Sequence, residues 1–289
     1  MVWAATLDSG YPPTMTAMAG ITAVPDYQQI LGAVRQEFET LDRYLGGLGP
    51  ASWRGSTACT EWNLTKLVSH LSSGAVLHLD MVKAGLKGAE ALTQEGRQQV
   101  WNHFDSLPAD QLYREFQQVN NEALTYLEQL PEDQRNRRVP SFLGEVPLAV
   151  LTRARQSELS LHSWDARVAL DPTARLLFVS VGPLVDNTLA FVARRSSVEE
   201  RARLAGTFYQ LDLEGRTRQR VALAVRAEGV SVEEPGRANP RATLWLTAEA
   251  FVRLVAGRFP LEAAERNGEV AIEGDRAAAL RLNQLFSGY

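Results

Sequence analysis

The chain has 289 residues, of which 45% are apolar and 22% charged, a composition typical of ordinary globular proteins. Its formal net charge of −4 excludes the broad basic surface with which proteins bind nucleic acids or anionic membranes. The single cysteine, Cys59, excludes an intrachain disulfide and a multi-cysteine metal site, and it is typical of a reducing compartment. No apolar run approaches the ~20 residues of a membrane span. We therefore expect a cytoplasmic protein with neither a nucleic-acid partner nor a membrane partner.

The N-terminal part of the chain is predicted to be helical. Residues 1–23 lack the basic start of a signal peptide and are predicted to be a loosely ordered leader. Over residues 24–170, apolar side chains recur at the spacing of amphipathic helices. Long helices joined by short or moderate loops favour an antiparallel bundle of four or five helices. The predicted helices cover 26–45, a segment capped by Asn63, 89–104, 110–130 and a segment that begins near Pro147, with a polar connection before it.

Residues 171–289 have a different pattern. One more helix is predicted over 184–194. After it, "GTFYQLDLEG" and "QRVALAVRAEGVSVEE" alternate apolar and polar residues, as strands do. "RATLWLTAEAFVRLVAGRFP" and "GEVAIEGDRAAALRLNQLF" each predict a strand followed by a helix. The predicted fold class is therefore mixed, with an all-α bundle at 24–170 and a smaller α+β domain at 171–289.

The segment "SELSLHSWD" carries Glu158 and His162 one helical turn apart. Side chains at positions i and i+4 lie on one face of a helix, so the pair supplies two metal ligands, although such a pair often arises by chance. His70 borders the apolar face of the second predicted helix, and a bundle can bring these two helices together. Two imidazoles and one carboxylate with an open fourth position are typical of a catalytic zinc site. The sequence therefore predicts a zinc-type site formed by His70, Glu158 and His162.

Two residues near this predicted site have two interpretations each. The Asp165 carboxylate either accepts a hydrogen bond from a ligand imidazole or pairs with Arg155 or Arg167. Cys59 is either a nucleophile or a buried structural thiol, and no basic cluster beside it favours a reactive thiolate.

The remaining histidines and two tryptophans are given structural interpretations. His78 lies eight residues after His70, about 12 Å along a helix axis, so it cannot easily share a metal with His70. We interpret His78 as a surface or packing residue and His103 as a partner of a helix dipole. Trp62 and Trp164 are interpreted as core aromatics.

Three blocks of the sequence, in order, resemble one family. "STACTEWNLTKLVSHL" resembles the signature T-x-C-x-x-W-x-x-x-x-L-x-x-H-L of the DinB-like mycothiol-dependent maleylpyruvate isomerase family. "VPLAVLTRARQSELSLHSWDARVAL" resembles its second block, in which an E-x-x-x-H pair precedes an Asp. The last two strand–helix segments resemble its C-terminal domain, which is similar to sterol carrier protein 2 (SCP2-like). The resemblance covers the chain from about residue 24 and implies a DinB-like helical bundle followed by an SCP2-like α+β domain.

The resemblance also implies cofactors and site residues. A divalent metal, usually zinc, would be held by His70, Glu158 and His162, and it would activate mycothiol or another low-molecular-weight thiol. The thiolate would attack a small-molecule electrophile. In the isomerase it adds to a cis double bond, and rotation and elimination give the trans isomer; other relatives transfer the thiol to carbon. Arg258, in "AGRFP", matches a position that would pair with a substrate carboxylate, although a solvated Arg at a helix end explains it equally. The family favours a monomer.

This chain also departs from the isomerase, so other functions stay open. It has a leader and a longer segment between its domains, "RRSSVEERARLAG", and its C-terminal block resembles a broader branch of the family. The identity of the electrophile is therefore not predicted. One alternative is a zinc hydrolase in which bound water attacks an amide or ester. The other is a non-catalytic protein that binds a lipid or another small apolar molecule.

Overall fold

The structure is a computed structural model that describes residues 26–59, 61–141, 144–215, 219–236 and 239–286. The predicted leader at 1–23 lies outside these residues. The chain divides into two compact units between Leu184 and Val185. Ser180 donates a hydrogen bond of 2.7 Å to Glu37, in the first unit. Within the described ranges, no helix is both long enough and apolar enough to span a bilayer.

The first unit is a helical bundle, as the sequence predicts. Its helices begin at polar caps: Asp26 accepts hydrogen bonds from backbone N–H groups of the first helix, and Asn63 accepts one from the Lys66 N–H of the second. The third helix begins later than predicted because Thr93 caps it by accepting from Gly96 N–H. The helices are α1 (Tyr27–Gly46), α2 (Leu64–Lys87), α3 (Gln94–Ser106), α4 (Ala109–Glu128), α5 (Glu132–Arg135) and α6 (Leu148–Val168).

The segment between α5 and α6 is more ordered than the polar connection that the sequence predicts. Strands β1 (Arg138–Ser141) and β2 (Gly144–Pro147) pair antiparallel, with Val139 opposite Val146. Both valines are buried. Strand β1 packs on Gly85 of α2, where an added Cβ would lie 2.8 Å from the Val139 Cα. One buried valine per strand is too weak an apolar signal to reveal a hairpin in the sequence.

Helix α6 is buried almost all round, since 17 of its 21 residues are buried. It packs on α1 and α2, and α2 packs on α4. The core between these helices is apolar, as their periodicity predicts. Its fully buried side chains include Leu41, Leu67, Leu71, Leu112, Phe116, Leu127 and Leu148.

The second unit is an α+β domain, and the predicted mixed fold class is confirmed. Its sheet has the order β5-β4-β3-β6-β7, in which β3 and β6 are parallel and the other neighbours antiparallel. Helix α7 (Phe178–Phe191) contains the point at which the two units divide. The other elements are α8 (Val198–Leu204), β3 (Thr207–Glu214), β4 (Gln219–Arg226), β5 (Gly229–Glu233), β6 (Ala242–Thr247), α9 (Ala248–Val255), α10 (Leu261–Arg266), β7 (Val270–Gly274), α11 (Arg276–Leu280) and α12 (Leu282–Leu285).

Two details of this unit differ from the sequence expectations. The segment between the predicted domains contains α8, which Ser197 caps by accepting from Glu200 N–H. The predicted last helix is two short helices, α11 and α12, which meet at Arg281. Both details concern helices shorter than two turns, for which apolar periodicity is a weak signal.

Candidate metal centre

Helices α2 and α6 bring together the three residues of the predicted metal site. His70 Nε2 lies 2.9 Å from Glu158 Oε2, and His162 Nε2 lies 3.7 Å from the same oxygen. One ligand atom from each residue lies within 4.8 Å of the other two. In a tetrahedral zinc site with bonds of about 2.0–2.1 Å, two ligand atoms lie about 3.3 Å apart. The two measured distances lie on either side of this value, so the three side chains fit a small divalent cation.

Asp165 determines which nitrogen of His162 faces the other two residues. Its carboxylate Oδ2 lies 2.9 Å from His162 Nδ1 and is fully buried. A carboxylate only accepts, so Nδ1 carries the proton and Nε2 presents a lone pair towards Glu158. This pattern is common for histidines that bind metals. The alternative pairing partners have other contacts: Arg155 donates to Asn120 Oδ1 and Arg167 to the Arg175 carbonyl.

The Trp62 ring covers both imidazoles. Its centroid lies 4.8 Å from that of His70 and 5.4 Å from that of His162. The loop before α2 holds it there, because Trp62 N–H donates to the Cys59 carbonyl at 2.8 Å. Trp62 is thus half-buried at the centre and is not the core aromatic that the sequence suggested. Trp164 is buried, and its Nε1–H donates to the Ala174 carbonyl.

Cys59 lies beside the centre with a buried thiol. Its sulfur, His162 and Asp165 form a second group of potential ligand atoms, all within 4.8 Å of one another. The loop that carries it is fastened to α6 by the Ala58 N–H, which donates to the Asp165 carbonyl at 3.1 Å. Both groups therefore share His162.

Burial and a neighbouring cation favour the neutral form of His70. Burial lowers the pKa of His70, the nearby His162 and Arg155 lower it further, and the hydrogen bond with Glu158 opposes these effects. The neutral imidazole is the form that binds metals. Burial also lowers the pKa of Arg155, to about 10, which still leaves its guanidinium charged at neutral pH.

The other two histidines lie outside the centre. His78 is a packing residue on α2, and burial lowers its pKa to about 3. His103 is in the last turn of α3, where a helix dipole favours a cation, and its Nε2 lies 2.5 Å from Glu115 Oε2. The sequence identified His103's position but not its carboxylate partner.

Arg258 lies in the second unit, just after α9. It is half-buried, and its guanidinium donates a hydrogen bond of 2.7 Å to the Ala256 carbonyl. Its expected contact with a substrate carboxylate stays a prediction.

Comparisons with known proteins agree with the resemblance and the fold. Residues 34–167 match the family described as mycothiol maleylpyruvate isomerase N-terminal domain, and residues 188–287 match the SCP-2 sterol transfer family. A crystal structure of the mycothiol-dependent maleylpyruvate isomerase is similar to this chain, with a TM-score of 0.60 and 18% identity. A histidine-to-alanine mutant of that protein gives a TM-score of 0.60 and 17% identity. Both alignments cover 81% of this chain and 90% of the other, so they show a common fold. No curated protein sequence matches significantly.

Proposed function

We propose that this chain, whose residues 34–167 match the mycothiol maleylpyruvate isomerase N-terminal domain, is a metal-dependent enzyme that uses a low-molecular-weight thiol on a small electrophile. The observation that carries the proposal is the convergence of His70, Glu158 and His162 from two helices. The reaction is a cis–trans isomerisation or a transfer of the thiol to carbon. Mycothiol is the thiol that the name of the family indicates.

The donor set favours zinc. Two imidazole nitrogens and one carboxylate oxygen are a common ligand set of catalytic zinc, and three protein ligands leave a fourth position for a further ligand. Two neutral imidazoles and one carboxylate bring the charge of a divalent ion to about +1, so an anionic fourth ligand is favoured. When bound, the metal would supply Lewis acidity that favours the thiolate form of a coordinated thiol.

Residues beside the three ligands would orient them and shield them from water. Asp165 fixes the ring of His162, so that the Nε2 lone pair is available without reorganisation. Trp62 packs against the two imidazoles and would limit the access of water from that side, which would strengthen electrostatic interactions there. Separately from this centre, Arg258 of the second unit is our candidate for binding a carboxylate, because a guanidinium binds carboxylates through two parallel hydrogen bonds.

The first test measures bound metal. We expect the wild-type chain to bind one zinc ion and His70→Ala to bind none at the same free-zinc concentration. His103→Ala is the matched control, because His103 is a half-exposed histidine that pairs with Glu115 away from the centre. Equal zinc binding by wild type and His70→Ala would sink the proposal.

The second test asks whether the metal-loaded protein uses a thiol. We expect mycothiol, or another small thiol, to raise the unfolding temperature, and the matching S-methyl compound to leave it unchanged. A ligand at 100 times its dissociation constant stabilises a protein by about 2.7 kcal/mol. Turnover of an electrophile should then require the same thiol. Metal-dependent hydrolysis of an ester or amide without any thiol would favour the hydrolase, and metal binding without turnover would favour a non-catalytic binding protein.

A further inference from the structure

Arg155 is a buried cation beside the metal centre. It lies on α6, almost one turn before Glu158, and is 7% exposed. Its hydrogen-bond partners are two neutral oxygens: the Leu71 carbonyl at 2.9 Å and the Asn120 Oδ1 at 2.8 Å. Burying a charge is costly unless it is paired. The nearby Glu158 carboxylate offsets only part of this cost, because burial still lowers the pKa of Arg155 to about 10. The stability of the fold therefore does not by itself account for an arginine here.

The contacts of Arg155 connect three helices at the level of the metal centre. Leu71 follows His70 on α2, so the guanidinium holds the α2 backbone at the residue next to a candidate ligand. Asn120 lies on α4 and is buried. The bridge starts on α6, which also carries Glu158 and His162. The distance between the ligand of α2 and the ligands of α6 thus depends on a hydrogen-bonded side chain rather than on apolar contact alone.

Gly74 provides the space for this bridge. It lies one turn after Leu71 on α2, and a Cβ added to it would lie 2.8 Å from Arg155 Nη1. A glycine inside a helix costs about 1 kcal/mol relative to alanine. The Arg155 guanidinium occupies the space that a side chain at position 74 would fill.

We propose that Arg155 is a positioning residue of the metal centre. By bridging the Leu71 carbonyl and Asn120, and by using the space at Gly74, it sets His70 at its distance from Glu158 and His162. Metal affinity is sensitive to ligand displacements of about 0.5 Å, so a small shift of α2 along α6 weakens binding. This inference deepens the proposed function and rests on it, since it requires a metal at these three residues.

The test compares two variants that disturb the bridge with a matched glycine control. Gly74→Ala leaves every bridging and ligand residue in place but displaces the guanidinium, whereas Arg155→Met removes the guanidinium and keeps an unbranched side chain. Gly32→Ala is the control, because Gly32 lies in α1 and an added Cβ there meets nothing within 4 Å. Three quantities are measured on each protein: zinc affinity by competition with a chelator, the visible spectrum after loading with Co²⁺, and the unfolding temperature without metal.

We expect Gly74→Ala and Arg155→Met to bind zinc at least tenfold more weakly than wild type and to have altered Co²⁺ spectra, well below their unfolding temperatures. Gly32→Ala should bind as wild type does. A merely structural role would lower the unfolding temperature and leave affinity and spectrum unchanged. Zinc affinities of both variants within twofold of wild type, with an unaltered spectrum, would overturn this inference alone. A wild-type chain that binds no zinc would overturn the proposed function and this inference with it.

Discussion

Helix α6 and the inward faces of the parallel strands β3 and β6 are buried, but their buried side chains differ in polarity. The inward side chains alternate along the strands and, after Thr207 at the start of β3, they are large or aliphatic: Tyr209, Leu211, Leu213, Ala242, Leu244 and Leu246. Helix α6 instead buries a series of polar and charged side chains: Thr152, Arg153, Arg155, Gln156, Ser157, Ser160, His162, Ser163 and Asp165. Buried polar groups cost free energy unless they are hydrogen-bonded. They are therefore informative about function, whereas an apolar strand face is accounted for by stability.

The polar residues of α6 divide between two faces. Glu158, His162 and Asp165 share the face of the metal centre. Ser160 and Ser163 lie on the other side of α6, beside Glu37 of α1, whose pKa burial raises and which these hydroxyls stabilise as a carboxylate. This contrast between α6 and the two strands indicates that apolar burial stabilises each unit, while hydrogen bonds fix the positions of the side chains along α6. Four predictions test this separation.

The largest expected effect is on stability and comes from the sheet. Leu211→Ala removes a fully buried side chain of β3, and we expect it to lower the free energy of unfolding by about 2–5 kcal/mol. The zinc affinity of the folded protein should stay unchanged, because His70, Glu158 and His162 all lie in the first unit. Urea unfolding and zinc titration measure the two quantities. Val232→Ala on β5, an exposed position, should change stability by less than ~0.5 kcal/mol. Weaker zinc binding by folded Leu211→Ala would contradict the separation between apolar burial and the positioning of the metal ligands.

Asp165→Asn should mainly weaken zinc binding, whereas Leu211→Ala should mainly lower stability. The carboxamide keeps the shape of the side chain but is a weaker acceptor for the His162 Nδ1–H than the carboxylate is. We expect zinc affinity to fall ~10–100-fold, the usual effect of losing such a partner. Chelator competition measures it, with Asp133→Asn on the exposed helix α5 as the control. Identical zinc affinities in wild type and Asp165→Asn would show that the carboxylate does not orient the imidazole.

His78 tests a buried polar group outside the centre. Its pKa is lowered by burial from 6.5 to about 3, so between these values the unfolded chain binds a proton that the folded chain excludes. Its contribution to stability is therefore present above pH 6.5 and is lost as the pH falls towards 3, at up to ~1.4 kcal/mol per pH unit. Urea unfolding of metal-free protein from pH 7 to pH 4.5 measures the slope. His78→Gln should have a shallower slope, and equal slopes would contradict this assignment.

The smallest expected effect is at the start of α2. Asn63→Ala removes the side chain that accepts from Lys66 N–H at 2.8 Å, and we expect a loss of about 1 kcal/mol. Asn63→Ser keeps a cap and should lose less. Thermal unfolding distinguishes the two, and an equal loss in both would show that capping is not the cause.

Local patterns made much of this fold predictable. Asn63 was readable as a helix cap because capping involves only neighbouring residues. The strands of the second unit were readable because their inward and outward residues alternate. The hairpin of β1 and β2 could not be predicted from its own residues, because β1 packs on Gly85 of α2, which is far away in the sequence.

The sequence by itself determined that Glu158 and His162 share one face of a helix, because an i, i+4 pair is fixed by helix geometry alone. It also selected His70 as a third ligand, through its place on an amphipathic helix and through family resemblance. Only the tertiary structure decided that His70 lies 2.9 Å from Glu158, that Trp62 covers both imidazoles and that Arg155 uses the space at Gly74. These contacts join residues on different elements, and their distances are set by how those elements pack.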